Sequence, residues 1–113
     1  MTSTEFRSIA LSFPHVSEQS HFDHPDFRVA GKIFATLGYP KKGWAMVKLT
    51  PKQQKGFVQS DADAFVAVKG TWGLRGATNI VLRLTKKSIA RKALIAAWRN
   101  TAPKKLSEQI DIQ

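Results

Sequence analysis

The side chains best placed by type and spacing to do chemistry in this chain are cations. Lys41 and Lys42 stand together before a glycine, Lys69 and Arg75 flank a glycine-rich run, and Lys32 follows Gly31. Lys86, Lys87, Arg91 and Lys92 recur along a helical stretch. Phosphate neutralisation needs amines and guanidiniums free to reach a nucleic-acid backbone, and loop tips and helix faces provide that freedom. These nine residues are the candidate nucleic-acid-binding set, with DNA the expected partner and affinity drawn mainly from phosphate contacts. Trp44 and Trp72 lie beside basic residues and are of a type that stacks on unpaired bases, although the commoner use of either is as a core or rim aromatic.

Two further constellations compete for attention. His21, Asp23, His24 and Asp26 hold metal-ligating side chains within six positions. On a strand His21 and Asp23 would share a face, with His24 or Asp26 closing a site. Such a run is more commonly a turn whose Asp side chains accept backbone N–H bonds, so Asp23-His24-Pro25-Asp26 is expected to be a turn, with no metal and no cofactor. The Gly70–Gly76 run could cradle an anion with its N–H groups, with Trp72 and Arg75 as the ligand-binding residues of an alternative, small-ligand reading. A loop that only has to turn sharply needs the same glycines.

Catalytic signatures are missing. The chain has no cysteine, which removes thiolate catalysis, disulfides and thiolate metal sites together. It has no G-x-S-x-G elbow and no P-loop, and Ser20 near a His–Asp pair does not make a triad. The expectation is a non-enzyme.

The elements that must position these residues follow from the pattern of the chain. At 113 residues with 42% hydrophobic content, one domain spanning 1–113 with one core is expected. No apolar run nears the ~18–20 residues of a membrane span, and the first residues do not read as a secretory signal. A cytoplasmic protein that does not enter a membrane is therefore expected. The net charge is +10, and it is unevenly placed. Residues 32–107 carry sixteen of the eighteen basic side chains and only Asp61 and Asp63 among the acids. A field of this kind attracts polyanions, although surplus lysine also keeps small proteins soluble.

Thr2 and Glu5 form a capping box before a helix with Phe6, Ile9, Ala10 and Phe13 on one face, ending at Pro14. Ser17 to Phe22 reads as a strand. Phe27 and Val29, then Ile33, Ala35 and Leu37, alternate with their neighbours on either side of Gly31-Lys32, a hairpin with a type I′ or II′ turn. After a basic turn at 39–43, Trp44 to Leu49 forms a strand with Trp44, Met46 and Lys48 on one face. Thr50-Pro51 opens a short helix to about Gln59, weakened by Gly56. Asp61 to Ala64 is a turn, Phe65 to Val68 a strand, Lys69 to Thr78 a loop or wing, and Asn79 to Leu84 a strand. Thr85 is placed to cap the longest helix, Lys86 to about Thr101, which Pro103 stops. The fold class expected is α+β, a mostly antiparallel sheet with helices packed on one face.

Three segments carry a family resemblance. They are Leu11-Ser12-Phe13-Pro14, the pair of strands from His24 to Ala35 with its F-R-V-A-G-K-I-F core, and Gly70-Thr71-Trp72-Gly73-Leu74-Arg75-Gly76-Ala77-Thr78 followed by the Ala96-Ala97-Trp98 helix. Over nearly its whole length the chain resembles the MmcQ/YjbR family. The resemblance implies a CyaY-like fold, related in shape to frataxin, and a DNA-binding role through a double-wing arrangement of hairpins. Iron binding by an acidic surface, as in frataxin-like folds, is not implied, because this chain is short of carboxylates. The leading expectation is a non-catalytic DNA-binding domain, for double-stranded DNA ahead of other nucleic acids, using basic hairpin wings and the C-terminal helix. The alternative is a small-ligand or protein-interaction module holding an anionic partner near the Trp72–Arg75 loop.

Overall fold

The chain begins with a helix because its first residues satisfy their own backbone. In the computed structural model, which describes residues 1–109, the Thr2 hydroxyl accepts from the Glu5 amide and the Glu5 carboxylate accepts from the Thr2 amide. This capping box opens α1 (Ser3–Leu11), whose Phe6 and Ala10 are fully buried. Asp111, part of the acidic C-terminal end of the sequence, lies outside the described residues.

Two tight hairpins follow. β1 (Val16–His21) and β2 (His24–Val29) are joined through Phe22 and Asp23, at φ 50° and 63°. β2 turns into β3 (Lys32–Leu37) through Ala30 and Gly31, at φ 51° and 77°. Two successive left-handed residues are the type I′ geometry that matches the twist of paired strands. The first turn therefore lies at Phe22-Asp23, and His24, Pro25 and Asp26 belong to β2, contrary to the expected turn over residues 23–26. The second lies one residue earlier than Gly31-Lys32.

β4 (Trp44–Lys48), α2 (Pro51–Ser60), β5 (Phe65–Ala67), α3 (Thr71–Leu74) and β6 (Ala77–Val81) come next. A 3₁₀ turn over Leu82–Leu84 then leads to α4 (Lys87–Thr101) and α5 (Lys104–Gln109). Thr50 and Gln53 cap α2 reciprocally, and the helix runs through Gly56 without interruption. The six strands pair antiparallel throughout, in the order β1-β2-β3-β4-β6-β5. The α+β class is as expected.

Several boundaries differ from the sequence reading. The glycine-rich run is not a wing, because its centre folds into the single turn α3. The strand expected over Asn79–Leu84 starts and ends earlier, giving way to 3₁₀ geometry. Lys86, not Thr85, occupies the N-cap of α4. The Thr85 hydroxyl instead donates to the Val81 carbonyl at 2.8 Å. A β-bulge between β2 and β3 shifts the register, so Phe27 faces Ala35 while Arg28 faces Ile33. The extra residue turns Phe34 inward beside Ala35, and both are fully buried. Strict alternation would have put Ile33, not Phe34, in the core.

One face of the sheet carries the core. Phe27, Val29, Ala35, Val47 and Ile80 meet Phe6 of α1 and Ala93, Leu94, Ala97 and Trp98 of α4. Trp98 is fully buried, and its indole N–H donates to the Pro14 carbonyl at 3.1 Å. α2 covers the far end of this same face through Phe57, whose ring lies 5.0 Å from that of Phe65. None of these helices covers the second face of the sheet. No helix among the described residues is long and apolar enough to cross a membrane.

Candidate nucleic-acid interface on the open face of the sheet

Strand alternation sends Trp44, Met46 and Lys48 to the face opposite the core, while Ala45 and Val47 point inward. Pairing places Thr36 and Asn79 beside Met46, and Ala77 beside Lys48. The hairpin at Phe22 and the loop with Tyr39 rise at one end of this face; Lys69 and α3 rise at the other. Between them lies a trough of about 910 Å³, within the usual range of ligand sites. Its lining includes Lys41, Lys48 and Lys69 and, among the described residues, not one Asp or Glu.

The two ends of the trough are built alike. At one, the Lys41 ammonium lies 5.8 Å from the Trp44 ring centre, and His24 meets Tyr39 edge to face at 5.2 Å. At the other, Trp72 has the Lys48 ammonium 5.6 Å and the Arg75 guanidinium 5.8 Å from its ring centre. Neither tryptophan is a core residue, and Trp72 remains 60% exposed. Phe22, at 89%, and Tyr39, at 59%, are also exposed. Burial among these walls pushes the Lys48 ammonium below the usual lysine range, and no carboxylate among the described residues pairs with it.

α3 owes its place to two glycines. A Cβ at Gly73 would overlap the carbonyl oxygen of Val68, and one at Gly76 the carbonyl of Leu49. Gly76 also sits at φ +112°, a conformation that L side chains rarely adopt. The Gln54 side chain ties the segment down by donating to the carbonyls of Gly73, at 3.1 Å, and Ala77, at 2.9 Å. Gly73 and Gly76 therefore serve close packing, while Gly70, at φ +82° with open space around it, serves the turn.

The metal candidates are otherwise engaged. The Asp26 carboxylate is fully buried and accepts from Arg28 Nε at 2.8 Å and from a second guanidinium nitrogen at 3.1 Å. His21 Nδ1 lies 2.8 Å from Oδ2, the oxygen that also accepts from the second guanidinium nitrogen. The Arg28 bonds hold the Asp26 carboxyl below its ordinary range against the opposing effect of burial, with His21 adding to the shift. No three metal-ligating side chains cluster among the described residues.

The nine basic candidates fall into separate groups. Lys41 and Lys69 line the trough and Arg75 covers a ring at its edge, while Lys42 lies on the 39–43 loop outside its lining. Lys32 is exposed at the end of the sheet where Lys48 lies. Lys86, Lys87, Arg91 and Lys92 belong to the helical layer on the other side. There Lys87 pairs with Glu5, and the Arg91 guanidinium lies 5.5 Å from the Phe13 ring centre. The trough cations Lys41 and Lys69 and the helix cations thus lie on opposite sides of the sheet, while Lys42 sits at the rim beside Arg83 and the N-terminal residues. Lys48 was absent from the sequence-derived set; its alternation with Ala45 and Val47 marked its face, but nothing local marked that face as a trough.

Comparison with known proteins agrees with this architecture. No curated protein matches the chain. The crystal structure of Deinococcus radiodurans protein DR2400, with a domain described as DUF419, is similar to it with a TM-score of 0.73. Identity is 15%, over 88% of this chain and 77% of that one, so the likeness is one of fold. The family model described as YjbR matches residues 11–100, from the Leu-Ser-Phe-Pro segment through the glycine run to α4, and the chain belongs to the YjbR family.

Proposed function

We propose that this domain is a non-catalytic nucleic-acid-binding module whose contact surface is the open face of its sheet. The observation that carries the reading is the acid-free trough: Lys41, Lys48 and Lys69 converge on one concavity with no carboxylate to repel or compete with phosphate. Phosphate contacts supply most of the affinity, and no helix-turn-helix or other base-reading motif adds strong sequence preference. Arg75 extends the positive edge beside Trp72.

The test is binding of a labelled oligonucleotide across a salt series. Three or four phosphate contacts predict a log–log slope of about −2 to −4. Lys41→Gln and Lys69→Gln each flatten it by about one, whereas Lys86→Gln and Lys92→Gln on the helical layer leave it unchanged. Absence of binding at low salt refutes the reading, and an unchanged slope in the trough variants moves the surface elsewhere.

A second reading is favoured by the concavity itself and by the half-buried Lys48: the trough holds a small anion with an apolar body near Trp72 and Arg75. It predicts that a short anionic aromatic compound binds as tightly as an oligonucleotide.

A further inference from the structure

Resting on the reading of the open face as a nucleic-acid site, we infer that it takes an unpaired strand, with bases stacked on Trp44 and Trp72. A tryptophan ring stacks on a base only when the base is unstacked, because within a duplex the base pairs above and below already cover its faces. Both rings lie outside the core, each has a cation beside it, and both border the same acid-free trough.

The two rings offer separate stations to one strand. Trp44 and Lys48 are four residues apart on one face of β4, about 13 Å between their backbones along an extended strand, and the Lys48 ammonium reaches to 5.6 Å from the Trp72 ring centre. Trp44 stands with Lys41 at one end of the trough and Trp72 with Lys48 and Arg75 at the other, so each ring receives its own base. Trp72 has cations at 5.6 and 5.8 Å. An arriving base displaces one of them. Arg75 is exposed and Lys48 half-buried, so Arg75 leaves and its guanidinium turns to the neighbouring phosphate. Lys48 stays, and the phosphate that reaches it gives its desolvated charge a partner.

The chain carries its own spectroscopic control. It has three tryptophans, and Trp98 is fully buried in the core. Base stacking quenches the emission of Trp44 and Trp72 and leaves that of Trp98. The experiment titrates the full chain with oligothymidylate and oligouridylate of about eight nucleotides, within the ~4–16 nucleotides that single-strand sites span. A duplex, an abasic strand of equal charge and a mononucleotide are run at the same salt. Expected are quenching by either unpaired strand, with the two arms showing which sugar binds more tightly, and affinity at least about tenfold above that for the duplex and the abasic strand. Trp44→Ala and Trp72→Ala each lose about 5- to 100-fold, and Trp72→Phe keeps part of the affinity. A blue-shifted emission from the buried Trp98 shows that the variants are folded.

Equal affinity for the abasic strand or the duplex overturns the stacking inference while leaving phosphate binding by the trough intact. Equal affinity for the mononucleotide overturns it in favour of a small-ligand site. Failure of every nucleic acid to bind at low salt overturns the underlying reading as well.

Discussion

Lys48 holds its charge half-buried, with an aromatic ring but no carboxylate among the described residues beside it. Its lowered pKa means that folding disfavours the ammonium, a cost present at neutral pH and relieved only as pH rises through the folded value. Lys48→Met therefore raises the melting temperature by a few degrees while weakening oligonucleotide binding, a divergence that thermal melts and anisotropy together detect. Asp26 behaves in the opposite sense. Its carboxyl is held low by Arg28, so the stability it contributes is present above the ordinary carboxylate range near pH 4 and is lost as pH falls further. Glu5, brought down to about 2 by Lys87 and the Thr2 amide, follows the same direction. Asp26→Asn leaves guanidinium donors facing an amide and costs about 1–3 kcal/mol at pH 7. The gap from the unsubstituted protein narrows in denaturation curves taken between about pH 4 and pH 2. A gap independent of pH would assign Asp26 a packing role alone.

At the level of elements, α3 and α4 hold the two sides of the sheet in place. α3 is a single turn, too short to be stable alone, and it persists because glycine lets it touch the Val68 backbone. Gly73→Ala forces that contact apart and costs about 1–3 kcal/mol or more. It also moves Trp72, so binding falls further than stability does, a comparison that requires both a denaturant curve and a titration. In α4, Trp98 fills the core and satisfies the Pro14 carbonyl. Trp98→Ala is expected to cost about 3–5 kcal/mol in denaturant unfolding. The length of α4 was legible because Ala90, Ala93, Leu94, Ala97 and Trp98 recur at helical spacing. The fate of the glycine run was not, since glycine signals conformational freedom and close approach alike. At Gly70 and Gly76 the backbone has positive φ, while at Gly73 the reason is a carbonyl from a residue five positions earlier.

For the molecule as a whole, the charge of the trough and that of α4 lie on opposite sides of the sheet, with Lys42 and Arg83 together at its rim. Helix cations are partly engaged, as the Lys87–Glu5 pair shows. Trough cations lack acidic partners among the described residues. A net +10 on one small domain repels itself, and salt screens that repulsion over about 10 Å at 0.1 M. Raising salt from about 0.01 to 0.3 M is therefore expected to increase the melting temperature even as it abolishes oligonucleotide binding. A melting temperature that falls with salt would show that attractive pairs dominate the surface.

The sequence by itself determined the α+β class, the order of most elements, the excess of cations and the family resemblance, because periodicity, caps and turn residues are local properties. It also put Trp44, Met46 and Lys48 on one side of β4. Tertiary structure decided the rest. The bulge that turns Phe34 inward exists only in the pairing of β2 with β3. The trough exists only because that pairing and the β4–β6–β5 order bring Lys41, Lys48, Lys69 and Trp72 to one concave face. The same folding sends Lys86, Lys87, Arg91 and Lys92 to the other side. A cation's partner is set by distance in space, and sequence spacing alone does not contain it.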